Sequence, residues 1–157
     1  MRLYLIRHAH AGQRLPGGRD QYRPLSAQGR ERASVLAELF EGITIDRLLA
    51  SPATRCQQTL AVLAQSHGLT IDDDPNLFEG SDTRETLAQL ASLDDEAVVA
   101  CSHGDVIPAV LEQLGALGVP LTGRGCELGS VWVLERAKDR WVGARYVNPR
   151  AASLDPT

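Results

Sequence analysis

Four side chains have the types and placement for phosphate chemistry: Arg7 and His8 as an adjacent pair, Arg55, and His103. Neutral imidazole is a nucleophile near neutral pH. A guanidinium stays charged there and offers a planar fork to phosphoryl oxygens. Each of these groups lies just beyond an apolar run. Arg7-His8 closes Leu3-Tyr4-Leu5-Ile6, Arg55 follows Leu48-Leu49-Ala50 and Ser51-Pro52, and His103 ends Ala97-Val98-Val99-Ala100-Cys101-Ser102. Such runs read as buried strands. In an open parallel sheet, ligands gather outside the carboxyl ends of strands, so Arg7, His8, Arg55 and His103 are expected to converge on one anion. His8 is the candidate nucleophile, because neighbouring cations disfavour a proton on its ring. His103, as a cation or hydrogen-bond donor, would steady charge on the equatorial oxygens during in-line displacement.

The elements that must hold these residues follow from the intervening sequence. Ala9 to Pro24 is polar and glycine-rich, a composition that predicts a loop forming part of a pocket wall. Ser26 is placed to cap a helix running to about Glu41, and Gly42 to end it. Ile45–Ala50 reads as a second strand. Ser51-Pro52 is expected to open a helix to about His67, with the serine hydroxyl as its cap. Leu69–Ile71 is a short strand candidate, Thr83 to about Leu93 an amphipathic helix, and 97–102 a strand. A helix follows with Pro108 in its first turn. Free amides at the helix starts after Ser51 and Gly104 would add to anion binding. Ser130–Leu134 and Trp141–Tyr146 predict a hairpin with Trp132 and Trp141 packing across it. Alternation of strands and helices implies an α/β fold of three layers: a mostly parallel sheet, helices on both faces and an antiparallel C-terminal edge.

The chain of 157 residues suits one domain, read here as 1–150 with a flexible tail at 151–157. A net charge of -4 argues against nucleic acid held on a broad basic surface, while leaving room for a local cationic pocket. Cys56, Cys101 and Cys126 are odd in number and lack paired spacing, which predicts reduced thiols rather than disulfides or a zinc ribbon. The apolar run before Arg7 is too short for a signal peptide, and no later run approaches membrane-spanning length. A cytoplasmic protein without membrane partners is expected. The four histidines lack metal-binding spacing, so neither a metal nor another cofactor is called for. Oligomeric state is not legible.

Taken together, Leu5-Ile6-Arg7-His8-Ala9, Pro24-Leu25-Ser26-Ala27-Gln28-Gly29, Ser51-Pro52-Ala53-Thr54-Arg55-Cys56-Gln57-Gln58-Thr59 and Ser102-His103-Gly104 resemble the ordered motifs of the histidine phosphatase superfamily, whose fold is phosphoglycerate mutase-like. The compact length resembles its short branch, which includes bacterial phosphohistidine phosphatases. It is also similar to the phosphatase-like C-terminal domain of some actinobacterial Nudix hydrolases. Ala9 stands where most members have glycine, and its methyl group is expected to narrow the pocket slightly.

The resemblance implies a metal-independent phosphatase in which His8 attacks phosphorus and is transiently phosphorylated. Arg7, Arg55 and Gly104 would bind the phosphoryl group, and Arg23, just before Pro24, is a further candidate. Glu79 lies where many members carry the proton donor, and a carboxyl kept partly protonated there would serve a leaving alkoxide; Asp82 and Glu85 are its nearby rivals. The expected partner is a phosphorylated small molecule or a phosphohistidine protein. Alternatives are a phosphoglycerate mutase-type phosphotransferase, for which the short chain leaves little enclosing structure, and a non-catalytic phosphate-binding regulatory module. Binding alone, however, needs no nucleophile.

Overall fold

A computed structural model describes residues 1–155 of the chain. Seven strands form one sheet in the order β3-β2-β4-β1-β6-β7-β5. The strands are β1 (Arg2–Arg7), β2 (Arg47–Ala50), β3 (Ile71–Asp73), β4 (Ala97–Ser102), β5 (Leu121–Thr122), β6 (Val131–Ala137) and β7 (Arg140–Val147). The helices are α1 (Ala27–Leu39), α2 (Thr54–His67), α3 (Thr83–Ala91) and α4 (Val106–Ala116). β3, β2, β4 and β1 are mutually parallel, and β6 alone runs against its neighbours β1 and β7.

Side-chain alternation along the strands divides the core into two layers. Tyr4 and Ile6 of β1 pack with Leu36, Phe40, Leu60 and Leu63 from the α1 and α2 side. Leu3 and Leu5 point the other way, onto Leu90 of α3 and Ile107, Val110 and Leu114 of α4. A central strand buried on both faces must be apolar at every position, which is why β1 and β4 read as unbroken hydrophobic runs. The three-layer architecture is the one expected from the sequence. Among the described residues, no helix is long and apolar enough to cross a membrane.

Several local expectations shift. The loop after β1 contains a 3-10 turn over Gly17–Tyr22, despite its glycines. The hairpin of β6 and β7 is present but inserts beside β1, so the two-residue strand β5 forms that edge of the sheet. Trp132 stacks at a tilt on Tyr146, its cross-strand partner, with centroids 5.4 Å apart, whereas Trp141 faces the Arg136 guanidinium. Of the stretch read as a flexible tail, Leu154 is buried in the α1–α2 layer and its carbonyl accepts from Arg145 Nη2 at 2.6 Å. Residues 156 and 157 lie outside the described residues.

One joint ties α1 to the loop after β1. Ser26 caps α1 as expected, its hydroxyl accepting from the Gly29 amide at 3.1 Å, and its own amide donates to the His10 carbonyl at 2.9 Å. Gly29 lies so close to that carbonyl that a β-carbon would sit 2.1 Å from its oxygen. Gly29→Ala should therefore force the helix off the loop and cost about 2 kcal/mol or more. The measurement is the urea midpoint at unchanged m-value; an unshifted midpoint would mean that α1 is not held against His10.

Candidate active site

Strand register brings the separated motifs together. Arg7 of β1 pairs with Ser102 of β4, and Ala50 of β2 with Cys101. The next residue along each strand is therefore His8, His103 and Ser51. The His8 amide donates to the Ser102 carbonyl at 3.0 Å, and the Ser51 amide to the Cys101 carbonyl at 3.0 Å. The His8 and His103 rings meet edge to face with centroids 5.4 Å apart, both buried. Arg55 enters from the first turn of α2 and is only 1% exposed.

His8 Nδ1 lies 2.8 Å from the carbonyl oxygen of Ala9. A carbonyl only accepts, so this contact places the ring hydrogen on Nδ1 and leaves the lone pair on Nε2. Burial first, and then the charges of His103, Arg55 and Arg7, push the His8 pKa down to about 4, against the opposing pull of the Ala9 carbonyl. The ring is thus neutral at physiological pH with Nε2 as its nucleophilic atom. Ala9 itself packs with Ala11, Leu25 and Ala33, and it is absent from the walls of the cavity beside His8. Its methyl group fills a small apolar cluster rather than narrowing the pocket.

His103 Nε2 is 2.8 Å from Ser51 Oγ, and its Nδ1 is 3.3 Å from Arg55 Nη2. The Arg55 guanidinium and the Ser51 hydroxyl face the two ring nitrogens and fix the orientation of the imidazole. His103 is thus held between Ser51 and Arg55, with its ring against that of His8. The Ser51 hydroxyl is committed to this histidine and to the Ala53 amide. It does not cap α2, which starts at Thr54 after Ala53 without any side-chain cap.

Arg7 donates from Nη1 to the Cys126 carbonyl at 2.7 Å. Its guanidinium lies against Gly104, where a β-carbon would sit 2.7 Å from Arg7 Cζ. Glycine is required there for clearance, and α4 begins two residues later, at Val106, with the Ile107 amide already donating to the His103 carbonyl. Arg23 lines the same cavity, but its Nε donates to Asp20 Oδ1 at 3.0 Å and its Nη1 to the Gly12 carbonyl at 2.8 Å. These bonds make it a brace for the loop as well as a wall residue.

Glu79 reaches the cavity, where Arg14 holds it: Nη2 to Oε1 is 2.7 Å and Nη1 to Oε2 is 3.4 Å. The Arg14 hydrogen bond first, with the charges of Arg14, Arg55 and His103, lowers the Glu79 pKa against a smaller effect of burial. Its carboxyl is ionised, contrary to the expectation of a retained proton. Asp82 caps α3 through the Arg84 and Glu85 amides, and Glu85 belongs to the first turn of that helix. Neither rival lines the cavity.

Asp20, which no motif or spacing singles out, organises the loop. It accepts from the Leu15 amide at 2.9 Å and from Arg23, and its Oδ2 lies 3.4 Å from Arg14 and 3.6 Å from Arg55. Burial opposes its charge, but the Leu15 amide and the Arg23 and Arg55 guanidinium groups outweigh it and lower its pKa. Its carbonyl also accepts from Arg55 Nη1 at 3.0 Å. Only its place in a polar loop was visible in advance. The cavity beside His8 measures about 580 Å³ and is lined by Arg7, His8, His10, Arg14, Arg23 and Glu79 among others. A second cleft of about 570 Å³, walled in part by Gln28, Arg32 and Glu127, adjoins it through Arg7 and His10. Among the described residues, no His, Cys, Asp and Glu side chains cluster as a metal ion requires.

Residues 3–84 match the model of the histidine phosphatase superfamily, branch 1. The chain belongs to that superfamily. It is 32% identical over 155 residues to an 8-oxo-(d)GTP phosphatase of Mycolicibacterium smegmatis, covering 92% of this chain and 47% of that protein. Over 83 residues it is 35% identical to a protein of an Enterobacter species assigned as the phosphoglycerate mutase GpmB, covering 50% of this chain and 38% of the other. The chain thus spans half or less of the length of these relatives. The crystal structure of SixA from Agrobacterium tumefaciens, assigned as a phosphohistidine phosphatase, superposes with a TM-score of 0.71 at 27% identity. That likeness covers 89% of this chain and 92% of the other.

The His8 environment predicts a pH dependence of stability. Between about pH 6.5 and about 4 the unfolded chain binds a proton that native His8 does not, so stability falls as pH drops through this window. The loss from this one residue should reach about 3 kcal/mol. Urea midpoints measured across the window should fall less steeply for His8→Ala than for the wild type. Equal slopes would contradict the depressed pKa.

Proposed function

We propose that this chain is a metal-independent phosphatase that works through a covalent phosphohistidine on Nε2 of His8. The observation that carries this reading is the Ala9 carbonyl fixing the hydrogen on Nδ1, so that an unprotonated Nε2 lies among Arg7, Arg55 and His103. In the first step the Nε2–phosphorus bond forms as the bond from phosphorus to the leaving oxygen breaks, and that oxygen takes a proton. In the second, water attacks phosphorus, the nitrogen–phosphorus bond breaks, and phosphate departs with His8 neutral again. The guanidinium groups of Arg7 and Arg55 carry the equatorial charge, where each preorganised donor is worth roughly 3 to 4 kcal/mol of the barrier. Gly104 admits Arg7, Asp20 and Arg23 fix the loop, and Glu79 is the carboxylate available to handle the leaving-group proton.

Hydrolysis is favoured over transfer between substrates because the mouth is open, with the Arg14 side chain 67% exposed, so water reaches the intermediate. The Mycolicibacterium relative is named for a nucleotide phosphoanhydride and the Agrobacterium structure for phosphohistidine. Both names are compatible with a site that grips phosphate and leaves the leaving group unspecified. A phosphorylated small molecule is the substrate class that suits this charged cavity.

Release of phosphate from an aryl phosphate tests the reading. The wild type should turn over with chelator present, and His8→Ala should lose at least about a thousandfold. Quenched wild type should carry an acid-labile, base-stable phosphoryl group that His8→Ala lacks. Absence of wild-type turnover from about pH 5 to 8, the range over which imidazole changes charge, would overturn the proposal. So would full activity of His8→Ala.

A further inference from the structure

Glu79 Oε1 lies between two guanidinium groups, 2.7 Å from Arg14 Nη2 and 3.4 Å from Arg55 Nη2. Arg55 belongs to the buried phosphoryl grip, whereas Arg14 stands at the open mouth. The carboxylate oxygen therefore marks an anion position one step outward from where the transferred phosphoryl group would sit. Arg14 has a second anchor in Asp20 Oδ2 at 3.4 Å, and Asp20 is fixed by Leu15 and Arg23. Arg14 would thus stay at the mouth if Glu79 let go. A salt bridge between groups this exposed contributes little to stability, so it can be exchanged at small cost.

We infer that the Glu79 carboxylate holds the place of a second anionic group of the substrate, and that the preferred substrates are phosphates bearing a further phosphate or carboxylate on the leaving side. This rests on the phosphatase reading of the site. Such a substrate takes the Arg14 fork from Glu79 and brings negative charge beside the released carboxylate. Both changes favour a proton on Glu79: its largest charge-stabilising contact is lost, and like charges disfavour ionisation. The protonated carboxyl then gives its hydrogen to the leaving oxygen as the bond to phosphorus breaks. In the second step the carboxylate accepts a proton from the attacking water, which regenerates the protonated carboxyl; it ionises again when the Arg14 fork returns to it. A phosphate with a neutral leaving group leaves the Arg14–Glu79 pair closed and finds Glu79 already ionised. Substrate charge, on this account, assembles the proton donor.

Calorimetry with inert probes separates this inference from the phosphatase reading, since it needs no turnover. Methylenediphosphonate and phosphonoacetate should bind wild type more tightly than methylphosphonate, and Arg14→Gln should weaken the first two by about tenfold or more. The diphosphonate responding alone would assign the outer position to phosphate, and phosphonoacetate responding alone would assign it to carboxylate. Glu79→Gln should change affinity in the opposite direction, tightening the two-anion probes, because it frees Arg14 and removes a competing charge. A purely structural bridge predicts weaker binding for both variants, and that result would overturn the inference. Kinetically, Arg14→Gln should lower the ratio of kcat/KM for a diphosphate ester to that for an aryl phosphate by about tenfold. Equal losses on both substrates would also overturn it. Loss of wild-type turnover with the calorimetric pattern intact would instead remove the phosphatase reading and keep the second anion position.

Discussion

Parallel pairing of β1 with β4 is the constraint on which the site depends. The register that sets Arg7 opposite Ser102 also sets His8 beside His103, with a backbone hydrogen bond between the two strand ends. A slip of one residue would turn Leu3 and Leu5 toward α1 and α2 and Tyr4 and Ile6 toward α3 and α4. The two-sided core therefore locks the register far more strongly than any polar contact in the site. The imidazoles inherit their positions from hydrophobic burial.

Beyond that frame, the site is a problem of like charges. Arg7 and the loop arginines Arg14 and Arg23 line one cavity with Arg55 buried behind Glu79, and each has an oxygen partner: Cys126 and Gly12 carbonyls for Arg7 and Arg23, Asp20 for Arg23 and Arg55, and Glu79 for Arg14. Such partners let guanidinium groups be buried without an anion bound. Arg55 uses a backbone carbonyl as well as a carboxylate, which satisfies donors without fully cancelling its charge. Attraction for phosphate survives because the buried carbonyls carry only partial charge.

What could be read from the chain alone tracks how local the physics is. Apolar runs ending in histidine or arginine, the Ser26 cap and the alternation of elements are local patterns, and they led to the sheet, the helices and the convergence of Arg7, His8, Arg55 and His103. Ser51 shows where this logic ends. Serine before proline is a good helix opening by propensity, yet here the hydroxyl serves His103, 52 residues away, and the helix starts later without a side-chain cap. Asp20 and Arg14 sit in a loop whose composition says only that it turns, so their pairings were set by contacts no spacing encodes. Glu79 lines the cavity, but its charge state depends on Arg14, 65 residues away.

This division of sources has a chemical consequence. The proposed nucleophile and phosphoryl grip stand on strand ends and a helix turn that the core holds rigid, whereas Arg14 and Glu79 come from loops at the mouth. Attack on phosphorus needs fixed geometry, because small displacements of reacting atoms cost large factors in rate. Recognition of a leaving group has no such demand on the fold, and loop residues can change without disturbing the register of β1 and β4. A scaffold of this kind can keep one reaction while its substrates vary, and the proposed proton donor belongs with the variable part. Its pKa must match the leaving oxygen, and the loop groups that recognise that oxygen's substituents are the ones that set it.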